Sequence, residues 1–494
     1  MKLSDILKNI EYIPYGTLNL NIKGIAYNSK KVRKDFIFVA LSGQHVDGNK
    51  FIPEAVARGA RVIVSNNRFE AKNITNIVVA SPLSALAHLS SNYYRHPDKK
   101  LFMVGITGTN GKTTITYFLE SIFSKTGYRP GVVGTVNYRY AGNIYPSHNT
   151  TPLSADLNKL LRDMLSAKVD TAVLEVSSHA LALGRVEGME FDMAVFTNLT
   201  RDHLDFHKTM EEYFNSKCKL FQLNLRKAEK RQPKYAIINI DDPWGKKLLE
   251  MLPESVTAVT YGMGKHASVR AENLKLGHHG NEFTLATPAG KKKVNLHYIG
   301  KYNVYNALAC AAAGLCAGIS LEAVVYGIET APQVPGRLEK VILGQPFLTV
   351  VDYAHTDDAL INVLSSLKQL NPSRLITVFG CGGDRDRSKR PIMGEVAAKM
   401  SDFIFITSDN PRSEDPQRIA LDVEVGVRRA NLNNYQVILD REQAIAAAIN
   451  MAQKGDIVLI AGKGHETYQI LNDKVIHFND AETAGKYIKN RFNT

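Results

Sequence analysis

The sequence predicts an α/β chain in three domains, and three observations carry that expectation. Its 494 residues are several times the usual size of a single hydrophobic core. Short, β-branched apolar runs alternate with helical patterns along the whole length. One such run, LFMVGIT, leads into a glycine-rich loop, Gly105 to Thr114 (GITGTNGKTT), that opens a helical pattern.

The elements follow in order. Residues 1–100 hold strand-like runs (FIFVAL, RVIVS) and helical stretches (PEAVARGA, PLSALAHLSSNYY), the mark of a small α/β domain. His96-Pro97 and two lysines then break the pattern, placing a boundary before residue 101. In residues 101–331 the strands TAVLEV and DMAVFTNL each end in polar loops, which predicts a mostly parallel sheet flanked by helices. APQVPGR is rich in turn formers. Beyond it, residues 332–494 carry FLTVVDY, RLITVFG, DFIFITS, YQVILD and DIVLIAG between helical stretches, a Rossmann-like third domain.

A formal charge of +13, from 61 basic and 48 acidic residues, favours anionic partners. No basic run is interleaved with aromatics, and Lys291 to Lys293 are expected in a solvated loop, so nucleic acid is not an expected partner. The four cysteines form no CxxC pair, which argues against a disulfide framework or zinc site. The start, MKLSDILKNIEYIP, lacks the apolar stretch of a signal peptide, and the apolar run from Leu308 to Ile319 is too short for a bilayer. A cytoplasmic protein without membrane insertion is expected.

In the loop, glycines turn backbone amides toward phosphate oxygens, Lys112 adds a point charge and Thr113 offers a hydroxyl to magnesium. The central domain is therefore expected to be of the P-loop ATPase type, using ATP and Mg2+. A strict GxxxxGK[ST] pattern would need glycine at 106, where this chain has Ile106. Magnesium needs further oxygen ligands near the carboxyl ends of strands. Glu175 ends TAVLEV, with Ser177, Ser178 and His179 after it; Asp202, His203 and Asp205 follow VFTNLT.

HKTMEEYFNSKCKLF opens with Thr209 and Glu212 at capping-box spacing, so a helix is expected from Met210. Met210, Tyr213, Phe214, Leu220 and Phe221 then form an apolar stripe with Lys217 in its middle, while Lys219 points away. Two states of Lys217 fit this spacing. Its stem could pack while its head reaches water, or its amine could be buried, neutral, and able to act as a nucleophile or take up carbon dioxide as a carbamate.

Together the motifs resemble the Mur ligase family, the ATP-dependent amide-forming enzymes of bacterial cell-wall precursor synthesis. They are GTNGKTT, EVSSHAL, TNLTRDHLDFH, NSKCKLF, GKYNVYNALAC, PGR (335–337), DYAHT (352–356), GCGGDRDRSKRP, DNPRSEDP and AGKGHE, spread over essentially the whole chain. AYNSKKV, LSGQHVDG, HNTTP and DNPR are similar to the branch that adds the third amino acid.

The resemblance implies a UDP-sugar-binding first domain, an ATP-binding central domain and an amino-acid-binding third domain. It places ATP on Gly108, Thr109, Asn110, Gly111, Lys112, Thr113 and Thr114, with Asn303, Asn306, Arg337, Asp352 and His355 as further nucleotide contacts. Magnesium falls to Thr113, Glu175, His203 and Lys217, the last as N6-carboxylysine; Lys112, Lys217 and His203 are the implied catalytic residues. A UDP-N-acetylmuramoyl dipeptide is assigned to Tyr27, Ser29, Gln44, His45, Val46, Asn149, Thr150, Thr151, Ser177 and Arg185. The incoming amino acid is assigned to Arg385, Asp409, Asn410, Pro411, Arg412, Gly462 and Glu466.

The implied amino acid is meso-2,6-diaminopimelate, whose distal carboxylate an arginine fork binds bidentately. The implied chemistry is an acyl phosphate on the D-glutamate γ-carboxylate, attacked by the amine, in a monomer whose third domain closes about the 331–337 segment. Two departures from the family pattern are Leu183, where relatives often carry glutamine, and Asp357, where proline is common. The alternatives are an L-lysine-adding ligase, a folylpolyglutamate synthetase-like ligase, a nucleotide-regulated binding protein, and a basic ATPase acting on nucleic acid.

Overall fold

The apolar runs read from the sequence become strands, and their pairing builds two units. The computed structural model describes residues 1–43, 47–225, 233–430 and 433–492. One unit comprises Met1–Leu199, His203–Val269 and Ala309–Gly327; the other comprises Thr200–Asp202, Arg270–Leu308 and Ile328–Thr494.

The first unit contains two sheets. Ile13–Tyr15 (β1), Gly24–Ala26 (β2), Phe36–Val39 (β3), Ala60–Ser65 (β4) and Thr75–Val78 (β5) line up as β1-β5-β4-β3-β2, parallel except for β1. The helix Pro82–Tyr93 starts on a Ser81 hydroxyl that accepts from Ser84 N at 3.3 Å, with proline in its first turn. It buries Leu86 and Leu89 against Ile37, Val62, Val64 and Ile77.

The second sheet holds Phe102–Thr107 (β6), Pro130–Val133 (β7), Asn137–Tyr140 (β8), Asn143–Pro146 (β9), Thr171–Glu175 (β10), Met193–Phe196 (β11), Lys234–Asn239 (β12) and Val256–Gly262 (β13). Their order within the unit is β13-β12-β11-β6-β10-β7-β8-β9. Strands β13 to β7 run parallel, and β8 and β9 add an antiparallel hairpin edge. The connection after β6 goes to one side of it and β11 returns on the other. The glycine loop leaving β6 therefore stands at a topological switch point, where an open α/β sheet has its crevice.

From Arg270 onward the second unit carries an antiparallel meander, built of Val269–Leu276 (β14), whose first residue belongs to the first unit, Asn281–Thr287 (β15) and Gly290–Leu296 (β16). Its main sheet is Glu339–Val341 (β17), Leu348–Asp352 (β18), Leu375–Phe379 (β19), Phe403–Ile406 (β20), Tyr435–Val437 (β21) and Ile457–Ala461 (β22), ordered β17-β18-β22-β19-β20-β21. All its pairings are parallel except β17 with β18. Neighbouring residues bury on opposite faces: Val350, Phe379 and Leu459 join one cluster, Val351, Val378 and Ile460 the other. Such double burial is what a parallel sheet clad on both sides requires. A hairpin of Tyr468–Leu471 (β23) and Lys474–His477 (β24) follows.

One expectation is corrected. Lys291 to Lys293 lie in strand β16, not in a loop; they are exposed, and Lys291 and Lys293 pair across the meander with Glu272 and Glu282. Charged cross-strand pairs let a solvent-facing strand run without alternation. Asp357 starts its helix normally: Thr356 Oγ1 caps Asp357–Lys368 by accepting from Ala359 N at 3.3 Å, and two aspartates occupy the first turn. Among the described residues no helix is long and apolar enough to cross a membrane.

Candidate active site

In the first unit the loop after β6 closes tightly on the strand beside it. Gly108 has φ +144°, and a Cβ there would stand 1.8 Å from Thr197 Oγ1. Thr197 Oγ1 donates to Asn110 O at 2.6 Å, Thr109 N to Asn198 O at 2.9 Å and Asn110 N to Asn198 Oδ1 at 3.0 Å. The segment after β11 thus moulds the loop. The helix Lys112–Lys125 starts at Gly111, itself left-handed, and points its amino end into the loop. Thr113 and Thr114 are buried in its first turn.

Lys112 Nζ lies over the loop, donating to Gly108 O at 2.9 Å and Thr109 O at 2.7 Å. Lys217 reaches the same carbonyl at 2.8 Å. The expected helix is Met210–Lys219, with Thr209 Oγ1 accepting from Glu212 N at 3.1 Å. Lys217 is 1% exposed, which excludes the state with its head in water. Its Nζ sits 4.4 Å from the centre of the Tyr213 ring, and the Tyr213 hydroxyl is 3.2 Å from Thr109 Oγ1. Tyr213 therefore ties the lysine helix to the loop, a role that its place in an apolar stripe conceals.

Glu175 ends β10, buried, and its carboxylate is held on three sides. Thr113 Oγ1 donates at 3.1 Å, Thr135 N at 2.9 Å and Thr135 Oγ1 at 3.0 Å. Thr135, two residues past β7, has no sequence signal beyond its place near a strand end. A threonine hydroxyl beside a carboxylate is a hard oxygen pair of the kind magnesium takes. His203, left-handed at φ 54°, stacks edge-on against His179 at 4.8 Å and faces Tyr213 at 6.1 Å between ring centres. Among the described residues no group of three His, Cys, Asp or Glu side chains could hold a metal by itself.

Beside Glu175, Thr150 Oγ1 is 3.0 Å from Thr135 Oγ1, and Thr151 Oγ1 donates to Glu175 O at 2.7 Å. Arg185 Nη1 donates to Thr151 O at 2.8 Å, its buried Nε has no partner among the described residues, and Ser177 N donates to Thr151 Oγ1 at 3.1 Å. Asn149 accepts from the Tyr138 hydroxyl at 2.6 Å. Tyr27 donates to Asp156, and burial with that carboxylate pushes its phenol well up. Ser29 instead donates to Glu54 at 2.7 Å. Gln44, His45 and Val46 lie outside the described residues.

In the second unit, Asn303 and Asn306 are buried one turn apart on the helix Lys301–Cys316, joined at 3.0 Å. Asp352 accepts from Leu338 N at 2.8 Å and Ala354 N at 2.9 Å; burial raises its carboxyl to about 6 against the pull of Arg337. The Arg337 guanidinium stands 5.0 Å from the Tyr353 ring, and His355 Nδ1 is 2.7 Å from Tyr353 O. His465 also packs on Tyr353, its imidazole pushed down to about 4 by burial and the Arg337 charge.

Two loops of this unit, 382–385 and 409–414, are sewn together. Gly383 N donates to Asn410 O at 2.9 Å and Arg412 Nη1 to Gly383 O at 2.6 Å; a Cβ on Gly383 would come within 1.8 Å of Pro411 O. Arg390, 1% exposed, grips Glu414 through both Nη atoms and holds its carboxyl down at about 2, while Glu414 accepts from Asp384 N at 2.6 Å. Arg412 takes a left-handed backbone, φ 52°, pinned to the hairpin by Arg412 N to Ile470 O at 3.2 Å and Asn472 N to Arg412 O at 2.9 Å. Arg385 is exposed on the same loop pair. Asp409 is buried, its carboxyl raised by that burial against the opposing charges of Arg441 and Lys463; Gly462 is buried after β22, and Glu466 accepts from Asn410 Nδ2 at 2.9 Å.

Comparison with known proteins decides the family. Residues 21–94 match the Mur ligase family catalytic domain, 106–314 the Mur ligase middle domain and 336–464 the Mur ligase glutamate ligase domain. A relative from Clostridium tetani is 44% identical over 99% of both chains. The chain belongs to the Mur ligase family. That relative, and one from Geobacillus kaustophilus at 44% identity over 99% of this chain and 100% of its own, are UDP-N-acetylmuramoyl-L-alanyl-D-glutamate--2,6-diaminopimelate ligases. A solved structure of a ligase of the same name superposes with a TM-score of 0.72 at 34% identity, covering 100% of each chain. Folylpolyglutamate synthase of Mycobacterium tuberculosis shares the fold, with a TM-score of 0.61 at 16% identity over 83% of this chain and 95% of its own. The three matched segments are the three-domain Mur ligase architecture, mixed α/β with mostly parallel sheets.

Proposed function

We propose that this Mur ligase joins meso-2,6-diaminopimelate to UDP-N-acetylmuramoyl-L-alanyl-D-glutamate at the expense of ATP, in the cytoplasm, as a step of peptidoglycan precursor synthesis. The observation that carries the reading is the full-length identity to ligases of that name, with DNPR and its companion Arg385 intact.

The D-glutamate γ-carboxylate oxygen attacks the γ-phosphorus of ATP, the bond to ADP breaks, and an acyl phosphate forms. The amine then attacks the acyl carbon, phosphate leaves, and the amine gives up a proton as the amide forms. Lys112 and the amino end of its helix supply positive charge to the phosphoryl oxygens, where stabilisation of this step mostly lies. Gly108 to Thr114 would cradle the phosphates, and Asn303, Asn306, Arg337, Asp352 and His355 would hold the rest of the nucleotide. Magnesium would be held by Thr113 and Glu175, with His203 and carboxylated Lys217 completing the set; bound there it neutralises charge on the phosphates. Thr150, Thr151, Ser177 and Arg185, grouped beside Glu175, would hold the dipeptide end of the UDP-sugar substrate, with Tyr27, Ser29, Gln44, His45, Val46 and Asn149 along its remainder. Arg385, Asp409, Asn410, Pro411, Arg412, Gly462 and Glu466 would hold the amino acid.

ADP release measured over an amino-acid panel with the UDP-sugar dipeptide as acceptor tests the reading, with meso-diaminopimelate expected to exceed L-lysine. A chain preferring L-lysine would refute it. Arg412→Met is expected to raise KM for diaminopimelate about 10- to 100-fold, the worth of a charge-assisted pair, without moving KM for ATP. Gly108→Ala is expected to lower ADP formation at least about 100-fold, because the loop must shift away from Thr197. An alanine variant with wild-type turnover would count against the loop as the phosphate site.

A further inference from the structure

Lys463 stands in the turn after β22 with none of its surface exposed. An ammonium in that position is tolerated only when paired and fully hydrogen-bonded. Its Nζ donates to Glu466 Oε2 at 3.0 Å and to Asn410 Oδ1 at 3.2 Å, and lies 5.5 Å from the centre of the Tyr468 ring. Asn410 is thereby oriented completely. Its oxygen accepts from Lys463 and from Ile470 N at 3.0 Å, and its nitrogen donates to Glu466 at 2.9 Å. Glu466 in turn is anchored at one oxygen while its side chain remains 17% exposed, so the carboxylate is fixed yet reachable from solvent.

We propose that Lys463 is a positioning residue for the amino-acid pocket: its buried ammonium aims the Glu466 carboxylate, and locks the Asn410 amide behind it, so that the second Glu466 oxygen is presented as an acceptor to the ammonium group of the incoming diamino acid. This rests on the amino-acid site proposed above. A compact donor with three N–H groups suits two acceptors in a closed space, which a larger guanidinium would overfill. The two residues it orients come from different loops, Asn410 after β20 and Glu466 after β22, so one charge couples both strand ends to the ligand.

The test is steady-state kinetics on the full chain for Lys463→Met, Glu466→Gln and the double variant, with thermal midpoints. Lys463→Met is expected to raise KM for diaminopimelate at least about tenfold, leaving KM for ATP and for the UDP-sugar dipeptide within about twofold. Because Lys463 acts through Glu466, adding Lys463→Met to Glu466→Gln is expected to change KM by less than about twofold further. Additive effects, a uniform rise in all three KM values with a lowered midpoint, or an unchanged diaminopimelate KM would each overturn the proposal. If Lys463→Met does not fold, Lys463→Gln, which keeps a donor, decides by the same KM comparison. The wild-type panel is read first: should it select another amino acid, the reading of the substrate falls, and the Lys463 variants are scored with the selected one.

Discussion

Replacing Lys217 with alanine is expected to lower the ligase rate by at least about 10²- to 10³-fold, the loss typical of removing one preorganised electrostatic group at a phosphoryl-transfer site. The side chain is buried against Tyr213 and shares the Gly108 carbonyl with Lys112, so the loss falls on chemistry, not on surface charge. The loop keeps the Lys112 contacts in the variant, and the thermal midpoint is expected to move little. A short carboxylic acid supplied in solution is expected to restore part of the rate by occupying the place that the proposed carbamate would take. Wild-type enzyme freed of carbon dioxide is expected to lose activity and regain it on adding bicarbonate. Full activity in the plain alanine variant would eliminate the carbamate.

Asp480→Asn is expected to destabilise the second unit by about 3–5 kcal/mol, the cost of stranding a buried charge. Arg441 and Asp480 are both fully buried and joined by two bonds, Nε to Oδ1 and Nη2 to Oδ2, each 2.7 Å. Arg441 also donates to Ala461 O at 2.9 Å, at the end of β22 just before Gly462, and to Ser408 O at 3.4 Å, two residues past β20 and just before Asp409. Urea unfolding followed by circular dichroism, or calorimetry, measures the effect, for which a midpoint drop on the order of 10 °C is expected. KM for the amino acid should rise in the folded fraction. An unchanged midpoint would mean that the pair contributes nothing net.

Local pattern made most of this legible. The β-branched runs, the loop between strand and helix, the capping spacing at Thr209 and the polar residues after β10 all depend on neighbours within a few positions, and all folded as expected. What escaped depends on distant partners. Nothing near Arg441 announces Asp480, and Lys463 sits among glycines that suggest only a turn. Strand β16, with three exposed lysines in a row, lacks the alternation that identifies a strand; its pairing with Glu272 and Glu282 is a property of the meander. Thr135 was within reach, since it follows a strand in the same sheet as Glu175, but a single threonine after a glycine carries little signal.

The sewing of loop 382–385 to loop 409–414, and of Arg412 to the β23–β24 hairpin, bears on how such a protein can change its diet. A motif transplanted alone, four residues exchanged for four, would meet a Gly383 carbonyl and an Ile470 carbonyl shaped for its predecessor. If the proposed amino-acid site is right, the heritable unit of selectivity is three separate stretches of chain, and drift toward a new amino acid must pass through sequences in which all three still fit.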